Sequence, residues 1–345
     1  MDRRCRALKG LVRRRWRLET GVIFWLNRFF SPPRFILHTE DAARKPREDL
    51  EEEEFSNSRE GFVSLSRLVR FGGGVVLDLA CGKGVKTTSY AAASPEARLV
   101  VGIDIEVQAL QRGRKFSRGR NVGKVTFVLA DAGALPFKDQ CIDLVVSENA
   151  LEHVPDPGAA LREAGRVLKD QGILSLRFFP LYYSPYGSHL WDYLCIPWVH
   201  VWASPEAVVA AYGHIVEAET PRLLRVFAGR YDEEDVRMHV AEQIEQFTSL
   251  NRLTPRAFYR AVAASGGWRI LDFAFVHTSI LGRLLAYWPR MDRLTVWGIY
   301  CVLRRDQRVV VSARAFTRWR RRQDLGGVRR KLVAWTKAAA RRSRG

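Results

Sequence analysis

Val76-Leu77-Asp78-Leu79-Ala80-Cys81-Gly82-Lys83-Gly84 is the stretch that decides the fold of this chain. An apolar run ends in an acid and opens into small residues and two glycines. That is the pattern of a buried parallel strand that delivers its carboxyl end to a ligand. Downstream, Val101-Gly102-Ile103-Asp104 and Leu129-Ala130-Asp131-Ala132 repeat the device of an apolar strand closed by a carboxylate.

Working outward, the pattern predicts a helix over 61–70, the turn Gly72-Gly73-Gly74 and a strand at 75–79. A helix near 84–93, a strand at 99–104, a helix at 106–118 and a strand at 125–129 follow. A strand at 142–147, a helix at 157–168 and a strand at 172–179 continue the alternation, and it resumes with a helix from 254 and strands near 268–276 and 295–303. Such alternation implies an α/β fold: a doubly wound, mostly parallel, seven-stranded Rossmann-like sheet with its strand carboxyl ends along one edge. Residues 180–253 break the rhythm with Tyr182, Tyr183, Tyr186, Trp191, Tyr193, Trp198 and Trp202, then a charged helical stretch over 232–247. An insertion at strand carboxyl ends reads as a lid. The organisation expected is a charged extension over 1–60, a core over 61–180, a lid over 181–253, completion of the sheet over 254–303 and a basic tail over 304–345. Within the extension, Glu51 to Glu54 read as a solvated linker or helix entry.

The formal charge of +19 belongs to the ends: residues 1–19 carry +6 and residues 304–345 carry +13, leaving the body neutral. Basic arms attract phosphate, in RNA or on an anionic membrane surface, and both partners remain open. Gly21 to Phe30 is apolar but short of the ~20 residues that span a bilayer. It lies on a membrane surface or packs as a helix. No small-residue cleavage site follows it, so it does not read as a signal peptide. Five scattered cysteines with no Cys-x-x-Cys pair argue against a disulfide framework and a structural zinc site. Cytoplasmic residence is expected, with peripheral membrane attachment through the ends; no obligate protein partner is inferred.

Alternative nucleotide loops fail at identifiable positions. Gly82-x-Gly84 is followed by Thr87 where a dinucleotide loop needs its third glycine, and Gly82-Lys83 is followed by Gly84 where a P-loop needs Ser or Thr. The three strand ends instead resemble the class I S-adenosylmethionine-dependent methyltransferases. Leu135-Pro136-Phe137 and Leu151-Glu152-His153-Val154 resemble signatures of their small-molecule branch. The resemblance covers residues 61–180 closely and 254–303 loosely, and implies S-adenosylmethionine as cofactor and an antiparallel seventh strand. It implies that Asp78 holds the methionine end and that Gly82 and Gly84 pass beneath the cofactor, with Ala80 where the family often has glycine. It further implies that Asp104 takes the ribose hydroxyls, that Ile105 lies against adenine, that Asp131 and Ala132 read its amino edge, and that Ser147 joins the cofactor site.

Methyl transfer needs alignment and exclusion of water more than a fixed triad, although a hydroxyl acceptor benefits from a base. The candidate bases are His153, beyond the fourth strand, and His189 with Asp192, three apart and so expected on one face of a helical turn. Tyr186, Trp191 and His200 are the candidate acceptor contacts, with a core histidine capped by Asp the rival reading of both His189 and His200. Related quinone methyltransferases have Glu-Met-Leu-Glu-His where this chain has Asn149-Ala150-Leu151-Glu152-His153, so no metal is expected. The helix after Asp156-Pro157 is expected to keep its arginine and acids in solvent. Ser147-Glu148-Asn149-Ala150 lacks the Asn/Asp-Pro-Pro-aromatic clamp of base methyltransferases. The reading is therefore O- or C-methylation of a small or amphipathic acceptor, a lipid, isoprenoid or glycan precursor. RNA methylation through the basic ends and a non-catalytic binding module stand as alternatives.

Overall fold

A computed structural model describes residues 17–30, 47–226, 233–277, 282, 285, 286, 288 and 291–309. The sheet begins with β1 (Gly74–Leu79), β2 (Ala97–Asp104) and β3 (Val125–Leu129), separated by the helices Val85–Ala93 and Val107–Gly119. It continues through β4 (Ile142–Glu148) and β5 (Leu168–Phe178), with the helix Pro157–Val167 between them, to β6 (Trp268–His277) and β7 (Val296–Arg305). The strand order is β3-β2-β1-β4-β5-β7-β6. Neighbours among β1 to β5 are parallel, and β7 runs antiparallel to β5 with Phe178 opposite Ile299.

Strand β1 is buried from Val75 to Leu79 because both of its faces are covered, which explains its unbroken apolar run. It pairs with β2 on one side and β4 on the other. The loop after it therefore leaves the sheet at the topological switch point, where open α/β sheets bind ligands. The helix Arg47–Val69 covers part of this sheet through Phe62, whose ring stacks on Tyr90 at 4.9 Å. This helix begins well before residue 61, where the pattern placed its start; Glu51 to Glu54 stand near its entry, as read, with Glu52 paired to Arg120 and Glu54 3.6 Å from Lys86. Arg120 in turn lies over Phe55 of this helix at 4.8 Å and over Phe116 at 3.9 Å, so aromatic stacking and charge fix the helix together.

The chain divides into two compact units, one made of Glu51–Phe178, Pro255–Val276 and residues from Gly298 onward, and holding the sheet. The other combines the chain up to Leu50 with Phe179–Thr254 and His277–Trp297. This second unit has its own core of Ile23, Leu190, Leu194, Val208, Tyr212 and Phe247. Helices Pro205–Val226 and Glu233–Ser249 form most of its bulk. A further helix over 17–27 is tied to it by Asn27, whose Oδ1 accepts from the Cys195 amide at 2.8 Å and whose Nδ2 donates to the Tyr193 carbonyl at 2.8 Å. The Gly21–Phe30 stretch is thus largely helical, and the helix begins earlier than its apolar run.

The expected start of the basic tail at 304 cuts into β7, since Arg304 pairs with Ile173 and Arg305 donates to the Gly266 carbonyl at 2.6 Å. Residues 310–345, like 1–16, lie outside the described residues. No helix among the described residues is long and apolar enough to cross a membrane.

Candidate cofactor and catalytic site

Three residues in five adopt left-handed backbone after β1: Ala80 at φ 57°, Gly82 at 52° and Gly84 at 68°. Asp104, at the end of β2, fixes this loop. Its Oδ2 accepts from the Gly82 amide at 2.8 Å and its Oδ1 from the Glu106 amide at 3.0 Å. The two glycines serve different ends. A Cβ on Gly82 would meet nothing within 4 Å, so that side of the loop is open, whereas a Cβ on Gly84 would fall 2.4 Å from the Phe127 ring. The glycine at 84 is required by packing against β3 and Gly113 rather than by clearance for a ligand.

A cavity of about 180 Å³ opens at this loop, lined by Asp78, Ala80, Gly82, Gly84, Glu148 and Asn149 among others. Asp78 is 2 % exposed and accepts from the Thr87 hydroxyl at 2.6 Å. Burial pushes its carboxyl up to about 7, against the opposing pull of that hydrogen bond and of Lys86. Lys86 donates to the Glu148 carbonyl at 3.1 Å, and Glu148 itself pairs with Arg177 at 3.2 Å. Charges of both signs thus surround the methionine end of the site implied by the resemblance.

At the nucleoside end, Ala130 donates to the Asp104 carbonyl at 3.0 Å and so brings the end of β3 to the end of β2. Ile105 is 70 % exposed. Asp131 is exposed, with Oδ1 accepting from the Gly133 amide at 2.7 Å, and Ala132 is buried. Ser147 is turned inward: its hydroxyl is buried and donates to the Leu79 carbonyl at 3.0 Å, tying β4 to β1. Its contribution to the site is to hold the strand end.

The segment Leu135-Pro136-Phe137 is held from the following helix. Arg166 donates to the carbonyls of Phe137 at 2.8 Å and Leu135 at 3.0 Å, while Glu163 accepts from the Leu135 amide at 2.7 Å. The expectation that this arginine and these acids lie in solvent is corrected for Glu163 and Arg166, which are also paired with each other at 2.7 Å.

His153 sits half-buried in the turn after β4, and burial pushes its pKa down to about 4, so its imidazole is neutral at neutral pH. The remaining candidates belong to the second unit. His189 and Asp192 do not share a helical turn, because His189 is in the left-handed region at φ 62° and no helix spans 189–192. The ring of His189 lies 3.3 Å from the Pro180 carbonyl. Asp192 instead accepts from the Tyr212 hydroxyl at 2.9 Å and pairs with His239 Nε2 at 2.8 Å. Burial works against protonation of His239, but the hydrogen bond and charge of Asp192 prevail and raise its pKa. His239 lies 47 residues from its partner, and nothing in the sequence linked them. His200 is buried, bonded through its ring to the Tyr182 carbonyl, and burial pushes its pKa down to about 4. That arrangement fits the rival reading of a core histidine. Tyr186 and Trp191 remain half-buried.

Sequence reasoning missed Glu54, Lys86 and Thr87 around the cavity. Lys86 and Thr87 directly follow the glycine loop, and the first turn of the helix that closes such a loop was the available signal.

Residues 71–180 match the family model described as a methyltransferase domain. The chain is 36% identical over 135 residues to an uncharacterized 37.1 kDa protein in transposon TN4556 of Streptomyces fradiae, covering 39% of this chain and 35% of that one. It is 43% identical over 105 residues to the ubiquinone/menaquinone biosynthesis C-methyltransferase UbiE of a Shewanella species, covering 30% and 42%. It is 35% identical over 113 residues to the 27-O-demethylrifamycin SV methyltransferase of Amycolatopsis mediterranei, covering 32% and 41%. The chain thus spans about two fifths of the length of these curated relatives.

Proposed function

We propose that this chain, whose residues 71–180 are a class I S-adenosylmethionine-dependent methyltransferase domain, methylates a small or amphipathic acceptor at oxygen or carbon. The observation that carries the reading is the loop over 80–84: left-handed, open above Gly82, and clamped by the carboxylate of Asp104. The residues present fit the cofactor. Asp104 retains lone pairs for two vicinal hydroxyls, Ile105 offers an exposed apolar face for a purine, and Asp131 offers an acceptor at the next strand end. Asp78 and the acids around it suit an ammonium group.

When bound, the cofactor supplies a methyl group activated by its sulfonium. The protein's part is to hold both partners in line and keep water out, which needs no fixed acid or base. For a hydroxyl acceptor, His153 takes the proton, because its imidazole is neutral and lies just beyond β4. The acceptor class rests on the aromatic content of residues 180–253, which suits an amphipathic molecule. Relatives named for ubiquinone/menaquinone biosynthesis and for 27-O-demethylrifamycin SV support a small molecule over a polymer.

Calorimetry with S-adenosylhomocysteine tests the reading. The wild type binds, and Asp104→Ala weakens binding by about tenfold or more, the worth of a pair of charge-assisted hydrogen bonds. Unchanged affinity removes the ribose assignment, and absence of binding by the wild type removes the function. His153→Ala should retain that affinity while kcat falls by about a hundredfold. Cell extract incubated with enzyme and isotopically labelled methyl donor then identifies the acceptor as the species that gains the label.

A further inference from the structure

The helix over 17–27 is apolar on two opposite sides, and only one of them is covered. Ile23 is fully buried, Thr20 is 8 % exposed, and Asn27 makes the two hydrogen bonds to 193 and 195 described above. Glu19 extends the anchorage by accepting from the Ser204 hydroxyl at 2.6 Å and its amide at 3.1 Å. At 3.6 residues per turn, Leu18, Val22 and Trp25 project on the side away from Ile23, and Phe29 follows in the turn just after the helix. They are 71 %, 50 %, 56 % and 68 % exposed. Trp25 and Phe29 pack edge to face at 4.8 Å, so the two aromatics form one ledge. A second group, Trp198 at 37 %, Val201 at 40 % and Trp202 at 47 %, is exposed in the segment just before Ser204, the residue that Glu19 binds.

A helix apolar all round is normally buried all round, and a continuous exposed apolar stripe marks an interaction surface. Charge identifies the occupant. The sixteen residues before Arg17 contain seven arginines and lysines (Arg3, Arg4, Arg6, Lys9, Arg13, Arg14 and Arg15) against Asp2 alone, and Arg17 and Arg28 flank the stripe itself. A second copy of the chain meeting this face about a two-fold axis would bring two such positive segments together, at a cost. Nucleic acid would neutralise the charge but leave Leu18, Val22 and Phe29 without an apolar partner. An anionic bilayer satisfies both: headgroups for the arginines, the acyl boundary for the stripe, and the interfacial layer for the tryptophans.

We infer that Leu18, Val22, Trp25 and Phe29 dock this protein on the surface of an anionic lipid bilayer, with the helix lying in the interface rather than crossing it. The inference does not depend on the chemistry of the catalytic site.

Co-sedimentation of the full chain with vesicles of phosphatidylcholine and phosphatidylglycerol in equal parts, at physiological salt, tests it against vesicles of phosphatidylcholine alone. The wild type should pellet with the anionic vesicles and remain in solution with the neutral ones. Paired substitution of Trp25→Ser and Phe29→Ser should weaken pelleting by about tenfold or more, since both apolar anchors and charge are needed for firm attachment. Both residues are exposed, and an unchanged circular dichroism spectrum and S-adenosylhomocysteine affinity would show that the variant is folded. The proposal is overturned if the wild type stays in the supernatant, or if the paired variant pellets as well as the wild type. It is equally overturned if the stripe instead drives self-association, seen as a dimer in sedimentation velocity that the substitutions dissolve, or if only RNA is retained.

Discussion

The two glycines of the loop after β1 separate binding from folding. Gly82→Ala places a methyl where nothing lies within 4 Å but in a left-handed backbone, so it should cost about 1 kcal/mol of stability and most of the affinity for S-adenosylhomocysteine. Gly84→Ala drives a methyl into Phe127 as well, and should cost about 3 kcal/mol or more in urea denaturation. Equal stabilities for the two variants would contradict this division. Asp78 gives a second contrast. Its pKa rises from 3.8 to about 7 on folding, so the folded state binds the proton more tightly and stability falls as pH increases between those values, then levels off. Asp78→Asn removes that loss, and its thermal midpoint should exceed that of the wild type at pH 8 but not at pH 4, by roughly 2–4 °C for each kcal/mol recovered. An ammonium ligand favours the ionised carboxyl, so wild-type affinity for S-adenosylhomocysteine should rise with pH up to about 7, and the asparagine variant should lose that slope. At this scale the sequence was readable for position: Asp78 and Asp104 stand at the ends of β1 and β2, where the apolar runs placed them. It was not readable where a side chain turns inward, because Ser147 looks the same in the chain whether it bonds a ligand or the Leu79 carbonyl.

Among the elements, the helix Pro157–Val167 does more than cross from β4 to β5. Asp156 caps it by accepting from the Ala159 amide at 3.0 Å, and Pro157 stands at its first turn, as the Asp-Pro pair implied. Asp156→Ala should cost about 1 kcal/mol by denaturation. From the far end, Arg166 and Glu163 hold Leu135 to Phe137, the stretch that follows the end of β3. Arg166→Leu should therefore cost more than the cap, about 2–3 kcal/mol, because it strands the two carbonyls and Glu163 together. It should also weaken S-adenosylhomocysteine, which a change confined to stability would not do. Regular elements were legible because apolar periodicity and turn residues act locally: β1, β2 and β3 fall within two residues of their expected bounds. Irregular ones were not. The spacing of His189 and Asp192 suggested a shared helical face, but a left-handed residue at 189 breaks the phase that the inference required. The acids Glu51 to Glu54 were legible as a helix entry on a solvated face, but their partners Lys86 and Arg120 were not, being distant in the chain.

For the molecule as a whole, the contacts made at the end of β7 bear on where the chain tolerates shortening. Ending it after Leu303 removes Arg304, Arg305 and Asp306, which bond Ile173, Gly266 and Gly267, whereas ending it after Val309 keeps them. Thermal melting should show the first truncation to be less stable than the second by several degrees, and equal midpoints would mean that these contacts contribute nothing. The partition of the excess charge to the two ends was legible from counting alone. The two-unit arrangement was not, because the second unit draws on three stretches of chain that no local pattern connects. One of those stretches raises a question of timing. Asn27 and Glu19 find their partners 168 and 185 residues later. At roughly 5–20 residues per second, a ribosome leaves the helix over 17–27 without these protein neighbours for about 10–40 s. Throughout that interval Ile23 is as uncovered as Leu18, Val22 and Trp25, so the emerging segment should adhere to apolar surfaces more readily than the finished protein does.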